Sequence, residues 1–210
     1  MGDTEGRIGV DESGKGDYFG PLVVAAVYVA AHHYAELEGV ADSKKLTDDK
    51  ALRLDGKIRA TCPYAVIVMN PPKYNELHAK IGNLNVLLAW AHAQAIENVL
   101  KIQPAERAIS DQFADPRRLI GNLKKKGLDI ELESRVRAES DLAVAAASVV
   151  ARAEFLRRLK SLGEQAGMDL PKGATIVEGP AKRLVAALGE ERLGDFVKLH
   201  FKTTQRVLGR

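Results

Sequence analysis

Four acidic residues stand where they could do chemistry. Asp11 and Glu12 close the apolar run RIGVDE at 7–12, directly before the glycine-rich stretch SGKGDYFG. Asp111 closes RAISD at 107–111, and Glu139 precedes a long alanine-rich segment. Taken singly, a carboxylate at a strand end is ordinarily a solvated residue or a helix cap. Gathered together, carboxylates repel strongly unless protons or cations neutralise them. Their hard oxygens select Mg²⁺ or Mn²⁺, and no Cys₂His₂ spacing or HExxH directs the reading toward zinc. Gly14-Lys15-Gly16 adds a second element, because glycine lets backbone N–H groups approach a phosphate or sugar closely. It is not a Walker A loop, since GxxxxGK[ST] is absent.

These residues need elements to position them. The apolar runs predict strands at 7–12, 21–30, 64–70, 107–111 and 128–135, with Pro71 and Pro72 ending the third. Thr47 is placed to cap a helix over about 48–61, with Asp48 and Asp49 favouring its start. Leu84, Leu87, Leu88, Ala91, Ala95 and Val99 recur at helical spacing within 83–100. Further helices are predicted at 115–126 and at about 141–163. The last ~45 residues read as a helical extension. Three antiparallel strands, then two parallel ones joined by helical crossovers, predict a mixed sheet of α/β class. If the strands ending in Asp11 and Asp111 are neighbours, their C-terminal ends bring the carboxylates together. Adjacent strand residues point to opposite faces. Asp11 is therefore expected to face inward, with Glu12 joining it as the strand twists away.

Bulk properties set wide bounds. The 210 residues predict one domain over 1–210, and 46% hydrophobic content is enough for a large core. A net charge of +3 is compatible with a nucleic-acid partner without requiring one. Cys62 is the single cysteine, which rules out an intramolecular disulfide and a cysteine-rich zinc site. The longest apolar run, at 21–31, is too short for a membrane-spanning helix. The MGDTEGR start lacks a signal-peptide core. A soluble, cytoplasmic monomer is expected. His78 and His92 are expected to be packed or hydrogen-bonded, Trp90 to be core, and Lys124–Lys126 to form a solvated helix end.

GVDESGKGDYFGPLVVAAV (9–27) resembles the opening signature of the type 2 ribonucleases H, and DYFGPL resembles their ribonuclease HIII branch. Further segments agree in order: DSKKLT (42–47), YNELHAKIGNLNVLLAWAHAQAI (74–96), ISDQFA (109–114), AESDLAVAAASVVARAEF (138–155), LPKGA (170–174) and KLHFKTTQRV (198–207). The resemblance implies a ribonuclease H-like fold, a five-stranded mixed sheet flanked by helices. It implies an endonuclease that hydrolyses the RNA strand of RNA/DNA hybrids with two Mg²⁺ or Mn²⁺ ions, leaving 5′-phosphate and 3′-hydroxyl ends. Asp11, Glu12, Asp111 and Glu139 would be catalytic and hold the metals. Asp141 is the rival for the fourth place, although an N-cap role suits it better. Backbone groups of Ser13, Gly14, Lys15 and Gly16 would read the 2′-hydroxyl, the group that separates RNA from DNA. Lys44, Asn83, Asn85, Gln112, Ser148, Arg152 and Lys172 would contact phosphate or sugar.

Two departures from the family pattern carry expectations. The catalytic signature begins at residue 9, without the N-terminal platform domain usual in ribonuclease HIII, so hybrid binding should be weaker and more salt-sensitive. Ala174 stands where ribonuclease HII proteins carry a tyrosine after Lys-Gly, so incision at a single ribonucleotide in DNA should be poor. The alternatives are a non-catalytic hybrid-binding protein and another nuclease of the same fold.

Overall fold

A computed structural model describes residues 6–40, 46–111, 116–128, 130–135 and 138–210, with Glu139 described through its backbone alone. The strands and helices run β1 (Arg7–Ser13), β2 (Leu22–Val29), α1 (Asp48–Thr61), β3 (Tyr64–Met69), α2 (Pro71–Ile81), α3 (Leu84–Leu100), β4 (Arg107–Asp111), α4 (Pro116–Lys125), β5 (Glu131–Arg135), α5 (Leu142–Ala166), α6 (Glu178–Leu188) and α7 (Lys202–Leu208). The mixed five-stranded sheet has the order β3-β2-β1-β4-β5. β1 pairs with β4 in parallel, Ile8 with Ala108 and Val10 with Ser110, and β4 pairs with β5 in parallel. All eight residues of β2 are buried, which explains its uninterrupted LVVAAVYV run.

The chain forms two compact units. One holds the described residues of Met1–Glu12, Val24–Ile67 and Asn83–Ala153; the other holds Ser13–Val23, Val68–Gly82 and Glu154–Arg210. In the first unit, a Cβ on Gly9 would lie 2.1 Å from the backbone carbon of Ala143. The opening turn of α5 therefore rests on the bare backbone of β1. The alanines and valines from Ala143 to Ala153 are buried, as a helix laid closely on a sheet requires.

The predicted order omitted one helix. Pro71 and Pro72 end β3 but also start α2, because proline at the first helical positions has no N–H to satisfy and a pre-set φ. Gly82, at φ 67°, closes α2, and Asn83 caps α3 by accepting from Asn85 N at 2.9 Å. Trp90 is also placed differently from expectation, at 41% exposed. It lies two residues from His92, which is fully buried, so it points from nearly the opposite side of α3. β5 starts at Glu131, later than the predicted 128. Among the described residues, no helix is long and apolar enough to cross a membrane.

Candidate active site

Parallel pairing of β1 and β4 sets the geometry. Val10 and Ser110 are register partners, so Asp11 and Asp111 leave neighbouring strands at the same level. Strand spacing puts their backbones about 5 Å apart. The C-terminal ends of parallel strands are where open α/β sheets ordinarily bind ligands.

Each described carboxylate of the cluster leans on a nearby donor. Asp11 Oδ1 accepts from the Glu12 amide at 2.8 Å. Asp111 Oδ1 accepts from the Ala138 amide at 3.3 Å. Glu12, with a side chain 11% exposed, accepts from His92 Nε2 at 3.1 Å. The other ring nitrogen of His92 lies 3.2 Å from Ser110 Oγ, which bonds the Asp111 carbonyl at 3.0 Å. One buried imidazole on α3 thus touches the ends of both carboxylate-bearing strands.

The fourth position is read from the backbone. Glu139 lies in the 3₁₀ turn Ala138–Ser140, one residue after the amide that binds Asp111. Asp141 is committed elsewhere. Its Oδ1 accepts from Ala143 N at 2.8 Å, capping α5, and its Oδ2 pairs with Arg7 at 2.7 Å. Arg7 starts β1, four residues before Asp11, and also donates to Tyr34 Oη at 3.1 Å.

The second unit gathers three segments singled out in the sequence. Gly14, at φ 88°, turns the chain where a Cβ would lie 2.1 Å from the Pro21 carbonyl, so only glycine fits. Downstream, Asp17 Oδ1 accepts from Gly173 N at 2.6 Å, and Tyr18 N donates to the Gly173 carbonyl at 2.9 Å. LPKGA thereby docks on the glycine loop. The C-terminal segment docks there too: Lys198 N donates to the Tyr18 carbonyl at 2.9 Å, and Lys198 Nζ donates to the Asp17 and Gly20 carbonyls, both at 2.8 Å. Lys198 is completely buried. Burial pushes its ammonium down to about 7, against the opposing pull of Asp17. His200 stacks on His78 at 4.3 Å, and burial, His78 and Lys198 together push it down to about 4.

The remaining predicted contacts divide. Lys44 and Gln112 lie outside the described residues. Lys15 is half-buried, Gly16 exposed and Lys172 exposed. Asn83 spends its side-chain oxygen on the α3 cap, and Asn85 is exposed on the first turn. Ser148 is 3% exposed and donates to the Ala145 carbonyl at 2.9 Å. Arg152 pairs with Asp48 at 2.7 Å. Lys126 bonds Gln94 and Glu97, so the lysine run ends in an ion pair as well as in solvent.

Sequence reasoning gave Lys198 no role. Its signal was a lone lysine inside the apolar DFVKLHF run. His92 was expected to be packed or hydrogen-bonded, and the structure adds its partners.

Among the described residues, no three His, Cys, Asp or Glu side chains are arranged to hold a metal ion. The chemistry of the set nonetheless fits a hard cation. Asp11, Glu12 and Asp111 offer only carboxylate oxygens at one end of two paired strands.

The model of the family described as Ribonuclease HII matches residues 8–204. The chain belongs to the ribonuclease HII family. A Ribonuclease HIII of Protochlamydia amoebophila (strain UWE25) is 44% identical over 211 residues, covering 99% of this chain and 70% of the relative. Another, of Chlamydia trachomatis serovar L2 (strain ATCC VR-902B / DSM 19102 / 434/Bu), is 47% identical over 214 residues, covering 99% and 71%. Among solved structures, Bst-RNase HIII in complex with Mn²⁺ superposes with a TM-score of 0.91 at 37% identity, over 98% of this chain and 70% of that one. These likenesses bear out the expected fold and the expected closeness to the HIII branch of the family. This ribonuclease HII family member is an enzyme of the ribonuclease H class.

Proposed function

We propose that this chain is an endonuclease that hydrolyses the RNA strand of RNA/DNA hybrids, with 1–210 working as a single catalytic domain. The observation that carries the reading is the shared level of Asp11 and Asp111 on paired strands, with Glu12 beside them. Asp11, Glu12, Asp111 and Glu139 would hold two divalent cations, Mg²⁺ or Mn²⁺. The Mn²⁺ complex of a relative supports metal use of this kind. Glu139 is preferred over Asp141 because the side chain of Asp141 caps α5 and pairs with Arg7.

Bound there, the cations would supply a water of lowered pKa and would neutralise charge on the phosphate and the leaving 3′ oxygen. The protein's part is placement. The strand ends hold the carboxylates at fixed spacing. The glycine loop follows Glu12 directly in the chain and offers backbone N–H groups to a 2′-hydroxyl, the mark of RNA. Lys15 and Lys172 would bind phosphates. The products would be 5′-phosphate and 3′-hydroxyl ends, and no side-chain nucleophile is needed.

The test is cleavage of labelled duplexes with Mg²⁺ or Mn²⁺. RNA/DNA should be cut, DNA/DNA and RNA/RNA should not, and Asp111→Asn should lower the rate at least ~100-fold, about 2.7 kcal/mol of transition-state stabilisation. A DNA duplex with one embedded ribonucleotide should be cut poorly, because Ala174 has no ring to stack there. Full activity of Asp111→Asn would refute the reading.

A further inference from the structure

The hydrogen bonds around His92 extend the metal reading to a residue that cannot itself touch substrate. His92 is fully buried on α3, between Leu88 and Ile96 in the apolar face. Burying an imidazole there is unfavourable unless both ring nitrogens are satisfied. They are: Nε2 meets Glu12 Oε2 at 3.1 Å, and Nδ1 meets Ser110 Oγ at 3.2 Å. An ionised carboxylate only accepts, so the Nε2 proton points at Glu12. The Ser110 hydroxyl lies one residue before Asp111 and touches the Asp111 carbonyl. A single side chain therefore ties the carboxylate of Glu12 on β1 to the backbone that presents Asp111 on β4.

We infer that His92 is a positioning residue for the metal centre: it fixes the orientation of the Glu12 carboxylate and so raises the affinity of the site for its divalent cation. This rests on the reading of Glu12 as a ligand. Glutamate has three rotatable bonds, and a ligand left to rotate loses entropy when a cation fixes it. A donor held by the fold removes part of that loss beforehand. Partners that orient metal ligands typically change affinity 10–100-fold when removed.

The test is Mn²⁺ binding to the full chain without nucleic acid, by calorimetry, with thermal unfolding of the metal-free protein alongside. His92→Ala should weaken Mn²⁺ binding roughly 10–100-fold. His92→Gln places an amide N–H where Nε2 stood, and should restore most of that affinity. Ser110→Ala removes one atom and should weaken binding severalfold, with thermal unfolding reporting whether the fold is kept; it carries the test if His92 variants do not fold. Wild-type Mn²⁺ affinity in Ser110→Ala and His92→Ala overturns the inference. Equal loss in His92→Ala and His92→Gln also overturns it, in favour of packing alone. Glu12→Gln separates the two readings. If it binds Mn²⁺ like wild type, Glu12 is no ligand and both readings fall. If it loses binding while the His92 variants keep theirs, only the role of His92 falls.

Discussion

At the scale of single residues, Lys198 is an unusual ionisable group. Among the described residues, its ammonium rests on two backbone carbonyls and on no carboxylate at hydrogen-bond distance. A lysine in the unfolded chain holds its proton to near 10.5, whereas this one releases it near 7. Between those values the unfolded state binds more protons than the folded state, so Lys198 makes stability rise with pH across that window. Thermal unfolding from pH 7 to 10 should show that rise, and Lys198→Met should flatten it. An unchanged slope in the variant would mean that Lys198 titrates normally. Neutral or charged, its N–H groups still reach both carbonyls, so the glycine loop should remain in place throughout.

At the scale of elements, α5 is held at its start by two devices. Gly9 gives it a place to lie, and Asp141 caps it while pairing with Arg7. Asp141→Ala removes both the cap and the ion pair, and should lower unfolding stability by about 1–3 kcal/mol. Asp141→Asn keeps the cap and should lose less. Neither should alter Mn²⁺ affinity more than ~2-fold, and a ~100-fold loss would return Asp141 to the ligand set. Most elements were legible for simple reasons: β1, β2 and β4 are short apolar runs, Thr47 and the acidic residues after it mark the start of α1, and α3 and α5 are long stretches rich in leucine and alanine. Missing α2 has a local cause, since two prolines read as a stop equally mark a start. Three of the four carboxylates were legible as strand-end residues. The partnership of Glu12 with His92 was not, because 80 residues separate them and only the packing of α3 joins them. Trp90 was misjudged because α3 is apolar nearly all round, so its pattern does not say which side is covered.

At the scale of the whole molecule, the proposed hybrid binding would rest, at a net charge of +3, on a few placed cations more than on an overall basic charge. Hybrid affinity should therefore fall with salt in proportion to the phosphates contacted. In binding titrations between 50 and 200 mM salt, Lys15→Ala and Lys172→Ala should each reduce the steepness of log affinity against log salt by about 1. A slope that neither substitution moves would remove both from the phosphate contacts. The curated relatives are longer, with this chain spanning 70% and 71% of two of them.

The parallel pairing of β1 with β4 also has a meaning in time. Ile8 and Ala108 are register partners a hundred positions apart. Such non-local contacts form late, because a long loop must close before any bond repays it. During synthesis Asp11 and Glu12 emerge about a hundred residues ahead of Asp111. Until β4 arrives, β1 presents a bare edge on that side, open to the wrong neighbour. Asp11 and Asp111 therefore cannot meet until the whole stretch between them has been made.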